Sequence, residues 1–187
     1  MKKIQFILTA LVFLSALSLP ALAASAEGTT SGSKRDFEVD GALLLGSGPS
    51  GFDSGYGLNA GVGYTLGDID KNLQARVDIS YSHFTKDYFG QTLNYNRNPF
   101  DISARYYFPI DDRLRLFAQA GVEASFDKQD YPIGFFKQSK SQLNLGLTPA
   151  GGVEFSIIPE VSVFAMGMYH IISDNYFTMH IGAAFHF

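Results

Sequence analysis

From Phe37 onward, apolar and polar residues alternate with a period of two, the spacing that places successive side chains on opposite faces of a strand. The alternation recurs in eight segments, about 37 to 45, 56 to 66, 72 to 83, 99 to 108, 113 to 126, 141 to 157, 161 to 171 and 176 to 187. One face is apolar: Leu58, Ala60, Val62, Tyr64 and Leu66 in the second segment, Leu73, Ala75, Val77, Ile79 and Tyr81 in the third. Phe100, Ile102, Ala104, Tyr106 and Phe108 continue it in the fourth, as do Leu114, Leu116, Ala118, Ala120, Val122, Ala124 and Phe126 in the fifth. The opposite faces carry Asn59, Gln74, Arg76, Asp78, Asp101, Arg105, Gln119, Glu123, Asn144 and Glu154. The seventh segment is assigned by continuity, because Phe164, Met166 and Met168 make its second face apolar as well. An even count of such strands suits an antiparallel barrel with both ends on one side.

The connections alternate in length. Gly67 to Lys71, Pro109 to Asp112 and Ile158 to Glu160 are short and turn-forming, whereas 46 to 55, 84 to 98 and 127 to 140 are long and polar. Ser173-Asp174-Asn175 departs from this by being short. In a membrane barrel the short turns belong to the periplasmic side, which would put both termini there. Aromatic residues gather at the two ends of the apolar faces. Phe37, Tyr64, Tyr106, Phe108, Phe155, Phe185 and Phe187 lie at one end, and Tyr81, Phe100, Phe126, Tyr169 and Phe177 at the other, the arrangement of interfacial girdles.

The N-terminus has a different pattern. Lys2 and Lys3 precede an apolar stretch from Ile4 to Leu19, and Ala21-Leu22-Ala23 offers a small-residue cleavage site. Residues 1–23 are therefore expected to be a cleavable signal peptide, with an alternative cut after Ala26; 24–36 would be a flexible periplasmic leader and 37–187 the barrel. All 18 acidic residues but only 12 of the 14 basic ones follow the cut, so the mature net charge is −6. That balance argues against nucleic acid as a partner. After residue 26 no apolar run reaches the length of a spanning helix, so membrane entry would require a closed barrel, in which every strand is paired. The chain has no cysteine, and disulfides contribute nothing to its stability.

The last strand carries a polar residue, His180, then Gly182, then aromatics at Phe185 and Phe187. This resembles the C-terminal assembly signal of bacterial outer-membrane barrels. With the export signal and phrases such as Ala104-Arg105-Tyr106-Tyr107-Phe108 and Gly151-Gly152-Val153-Glu154-Phe155, the chain is similar to the small outer-membrane β-barrel family typified by the OmpA membrane domain and OmpX. The resemblance implies an all-β fold, an eight-stranded antiparallel up-and-down transmembrane β-barrel in the outer membrane of a Gram-negative bacterium. It implies outer-membrane lipid, lipopolysaccharide and the barrel-assembly machinery as partners, and a monomer.

An eight-stranded barrel is just wide enough inside for side chains to fill it. Counting along each strand puts Asp40, Arg76, Arg105 and Glu154 at similar heights, and two acids meeting two bases are expected to form a structural lumen network. The enzymatic alternative, a lipid-A-modifying barrel, would use His170, Ser173 and Asp174. The spacing His170-Ile171-Ile172-Ser173 is one residue longer than the His-x-Ser-Asn pattern of the deacylases, which moves the serine to the other strand face. His83, His170, His180 and His186 lack metal-ligand spacing, and neither metal nor cofactor is expected. A soluble lipid-binding barrel would reverse the faces and place Arg76, Asp78, Arg105 and Glu154 outside. Recognition, if present, is expected on the long outer connections, through Tyr88 and Phe89 in one and Tyr131, Phe135 and Phe136 in another, beside Lys128, Lys137 and Lys140. The alternative there is that the strands continue beyond the membrane and these residues pack on one another.

Overall fold

The computed structural model describes residues 36–133 and 136–187; the expected signal peptide and nearly all of the leader lie outside them. Nine strand segments follow in order: β1 (Phe37–Gly46), β2 (Gly55–Thr65), β3 (Leu73–Tyr88), β4 (Gln91–Pro109), β5 (Leu114–Ile133), β6 (Phe136–Leu147), β7 (Ala150–Ile158), β8 (Val161–His170) and β9 (Tyr176–His186). A 3-10 turn at Pro49–Gly51 joins β1 to β2. Every pairing is antiparallel, and the sheet closes on itself because β1 pairs with both β2 and β9 while β4 pairs with β5. β5 is flanked by β6 along Val122–Ile133 and by β7 along Leu114–Gln119, so β6 and β7 are two halves of one wall strand and the barrel has eight staves. The predicted sixth strand, 141 to 157, is thus interrupted at Thr148-Pro149. Proline has no N–H to give to a ladder, and Thr148 bonds instead through its own N–H to the carbonyl of Gly121 at 3.0 Å.

Alternation sets the two faces. Leu43, Val62, Ile79, Ile102, Val122, Leu145 and Ile181 are all exposed on the outer wall, whereas Arg76, Arg105, Glu123 and Glu154 are buried within. This is the reverse of a soluble lipid-binding barrel. At the end that holds Phe37 and Phe187, here the near end, Phe37 packs on Tyr64 (ring centroids 4.9 Å apart) and on Phe187 (6.2 Å). Phe100, Phe126, Tyr169 and Phe177 are exposed on the outer wall toward the far end. β8 resolves its two apolar faces by turning Phe164, Met166 and Met168 inward, where they pack with Ala42, Tyr107, Phe117 and Ala184.

At two connections the strands continue past the far girdle, as the alternative reading has it. Residues 84–98 and 127–140, read as long loops, are mostly strand. β3 and β4 stay paired up to Tyr88 and Gln91, and β5 and β6 up to Ile133 and Phe136. Past the far girdle the parity of the apolar residues inverts: Phe84, Leu93 and Tyr95 are buried there, with polar Thr85, Asn94, Asn96 and Asn98 on the other parity.

Candidate functional site

Inside the near half of the barrel, the charges converge on a residue that the sequence reading did not select. Glu38 on β1 accepts hydrogen bonds from Arg76 Nη1 at 2.5 Å, Gln74 Nε2 at 3.0 Å and the Tyr107 hydroxyl at 3.0 Å, and lies 3.5 Å from Arg105 Nη1. Arg76 also binds Asp40, and Asp78 at 3.1 Å. Gly61 makes this possible, because a Cβ there would lie 2.2 Å from Asp78 Oδ1 and 2.5 Å from Arg76 Nη2.

Of the four predicted lumen residues, Asp40 and Arg76 are brought into direct contact; Arg105 and Glu154 are not paired with each other. Arg105 donates from Nε to Gln119 at 2.9 Å and lies 4.2 Å from the centre of the Phe117 ring. Glu154 accepts from Arg115 Nη2 at 2.6 Å and Ser162 at 2.5 Å, and His186 lies 3.1 Å from it and 3.6 Å from Glu38. His186 therefore links the two clusters. The equal-height estimate misplaced the pair because hydrogen-bonded rows climb obliquely around a tilted barrel: Arg105 lies opposite Gln119 and Gln74, and Glu154 opposite Arg115. The parity of Arg115 would have found it. A cleft of about 40 Å³ opens at the near end between Glu38, Lys71, Gln74, Tyr107, Arg115 and His186, room for about one water.

A second network occupies the far half. Arg97 lies within ion-pair distance of Glu123 (2.7 Å) and Asp127 (3.3 Å), and its guanidinium stands 4.6 Å over the Tyr176 ring. Asp127 also accepts from Tyr95 at 2.7 Å, from Asn144 at 2.6 Å and from Ser125. His170, named for the enzymatic alternative, points into the lumen. Its Nδ1 lies 2.6 Å from Glu123 and its Nε2 3.0 Å from Thr178, whose hydroxyl also lies 2.9 Å from His180. Ser173 instead bonds Asn144 at 3.4 Å in an exposed turn, so the structure does not join the two. Among the described residues no group of three or more His, Cys, Asp or Glu side chains could hold a metal ion. Phe52, Phe84, Leu93, Tyr95 and Tyr176 close the far end as an apolar cap.

The C-terminal residues form the closing seam. His180 is buried in the lumen, and a Cβ at Gly182 would stand 2.8 Å from the Phe164 ring and 2.2 Å from the carbonyl of Gly41. Phe185 is half-buried and Phe187 exposed on the outer wall, with Phe187 and Phe37 exchanging both backbone hydrogen bonds at 2.9 and 3.0 Å.

Of the residues named for the outer connections, Tyr88 and Phe89 are exposed at the β3–β4 tip, 41% and 94% respectively. Tyr131 is exposed on β5 and donates to Gln129 at 2.8 Å. The backbone of Phe136 opens β6, and Phe135 lies outside the described residues.

A closed antiparallel barrel that is apolar outside, ringed by aromatics and charged within defines a membrane β-barrel. The chain belongs to the outer membrane protein β-barrel domain family, whose model matches residues 9–187. Its fold is similar to Neisserial surface protein A (TM-score 0.60, 18% identity), the match covering 86% of this chain and all of that one. It is also similar to Ail, the attachment invasion locus protein of Yersinia pestis (TM-score 0.58, 16% identity, 81% and 97% covered). A third similar structure is the N-terminal β-barrel domain of Pseudomonas aeruginosa OprF (TM-score 0.52, 14% identity, 80% and 97% covered). No curated protein sequence matches the chain.

Proposed function

We propose that this outer-membrane barrel acts in surface recognition through the four-stranded sheet that projects from its far end, and that it is neither a general diffusion pore nor an enzyme. The carrying observation is that β3, β4, β5 and β6 continue past the aromatic girdle as one sheet. Among the described residues, the edge of β6 from Phe136 to Leu143 has no strand on its other side. An unpaired edge is a template for an extended partner. Residues 84–98 and 127–140 hold five basic against three acidic residues in a chain of net charge −4. Arg97, Asp127 and Asp130 are buried, and Lys128 and Lys140 are exposed, which favours an anionic partner. Ail, of similar fold, was crystallised with the heparin analogue sucrose octasulfate.

The contrast between tight near-end turns and long far-end hairpins supports periplasmic termini and an outward-facing sheet. Two side-chain networks and an apolar cap in series support the absence of a general pore, and the separation of His170 from Ser173 supports the absence of catalysis. Lipid and lipopolysaccharide would surround a monomeric barrel, and the Phe187 seam would present the signal read by the assembly machinery.

Phe84 pairs with Tyr95 and Gln129 with Lys140, so each hairpin can be cut back to those pairs and closed with Asn-Gly, a favoured two-residue turn. Cells carrying the doubly trimmed barrel should retain inserted, heat-modifiable protein and lose adhesion to heparin-coated and host-cell surfaces. Unchanged adhesion would overturn the reading.

A further inference from the structure

The tip of the β3–β4 hairpin has a conformation that its folding does not require. Tyr88 pairs with Gln91, leaving Phe89-Gly90 as a two-residue turn in which both φ angles are positive, 45° and 78°. Such turns favour Asn-Gly or Gly-Gly, and a bulky residue in the left-handed region is strained. The strain returns little burial: Phe89 is 94% exposed, its ring set edge-on to Tyr88 at 4.7 Å. The tip lies seven residues beyond Tyr81, roughly 20 Å past the girdle at strand rise, out of reach of the lipid around the barrel. Lys86 lies on the same strand beside Asp87, and Lys128 on β5 and Lys140 on β6 are exposed on the same projecting sheet.

We propose that Tyr88 and Phe89 form a wedge that enters an apposed lipid bilayer with anionic headgroups, a proposal that rests on the outward orientation of the sheet. Aromatic rings partition into the interfacial zone, and lysines add attraction to anionic lipid. The phenyl ring of Phe89 has no charge or hydrogen-bond donor with which to bind a sulfate, which favours lipid over a sulfated glycan as the occupant.

The test uses the full mature barrel in neutral nanodiscs, mixed with vesicles of phosphatidylcholine alone or with added phosphatidylglycerol. Wild type should co-float with the anionic vesicles only. Phe89→Asn restores the favoured Asn-Gly turn, so its melting temperature should hold or rise while vesicle binding weakens by about five-fold or more. The chain contains no tryptophan, so Phe89→Trp, in discs with a tryptophan-free scaffold, introduces a single tryptophan whose emission, excited selectively over the tyrosines, should shift to the blue with anionic vesicles. Equal flotation of Phe89→Asn, an unshifted Phe89→Trp spectrum, or binding to heparin beads without binding to vesicles would each overturn the wedge. If trimmed cells lose adhesion but Phe89→Asn cells keep it, the wedge falls and sheet-based recognition stands. Unchanged adhesion of trimmed cells removes the latter whatever the vesicles do.

Discussion

Arg76 holds three carboxylates, Glu38, Asp40 and Asp78, with almost none of its side chain exposed. Removing a buried partner leaves the opposing charge uncompensated, which costs more than the pair contributes. Arg76→Met should therefore destabilise the barrel by about 3–5 kcal/mol, read from urea unfolding in lipid vesicles, and adding Asp40→Asn should recover part of the loss. Strict additivity would show the two residues to be uncoupled. Asp101 poses the opposite case. It faces Asp78 directly across the β3–β4 ladder and is bound by Thr148 at 2.5 Å, and among the described residues no arginine lies within ion-pair distance of it. Like charges directly opposite destabilise a sheet, so Asp101→Asn should stabilise the fold by on the order of 1 kcal/mol. A fall in stability would mean that the charge at Asp101 is needed. The sidedness of these residues was legible in the sequence, since parity is a local property. Their partners were not: the stagger of a tilted barrel moves Arg105 to Glu38 and leaves Glu154 to Arg115, and only closure of the sheet fixes that stagger.

Elements were legible where lipid imposes a rule. Between the girdles an outward residue must be apolar, and the expected strand cores in that zone coincide with observed ones. Past Tyr81 and Phe100 the rule inverts, with Phe84, Leu93 and Tyr95 inside and asparagines outside; polar outward residues then read as loop. The alternation was present with its sign changed, and carrying the parity of Ser82 onto Phe84 would have found it. Pro149 acts the other way, breaking a segment whose alternation runs on through it. The near-end turn at Asp111 offers a pH test. Its carboxylate accepts from the Arg113 and Leu114 backbone N–H groups at 2.8 and 2.7 Å, and those bonds hold its pKa below the usual aspartate value. The contribution is therefore complete above the ordinary carboxylate pKa and is lost as pH falls through the lowered one. Asp111→Ala should lower the unfolding temperature slightly at neutral pH and have no effect once both proteins are in strong acid. A deficit that persists in strong acid would assign the effect to something other than the ionised turn.

At the scale of the molecule, two closures stand in series. The Glu38–Arg76 network fills the near half, and Phe52, Phe84, Leu93, Tyr95 and Tyr176 cap the far half above Arg97. Composition could announce a barrel with charge inside, but not that aromatic side chains close one end, because Phe52, Leu93 and Tyr95 stand in segments that read as loops and meet only when the wall is complete. The arrangement makes conductance a question about both closures together. Vesicles containing the wild-type barrel should not swell in isosmotic arabinose. The variant Phe84→Ala with Tyr95→Ala should not swell either, because truncating the cap leaves the ion-paired layer beneath it in place. Its unfolding temperature should drop, since two large buried rings are lost, at about 3–5 kcal/mol for each such truncation in a packed core. Swelling of the wild type at porin-like rates would overturn the closed-lumen reading; swelling of the cap variant alone would mean that the near-end network does not seal the barrel and that the aromatic cap is its gate.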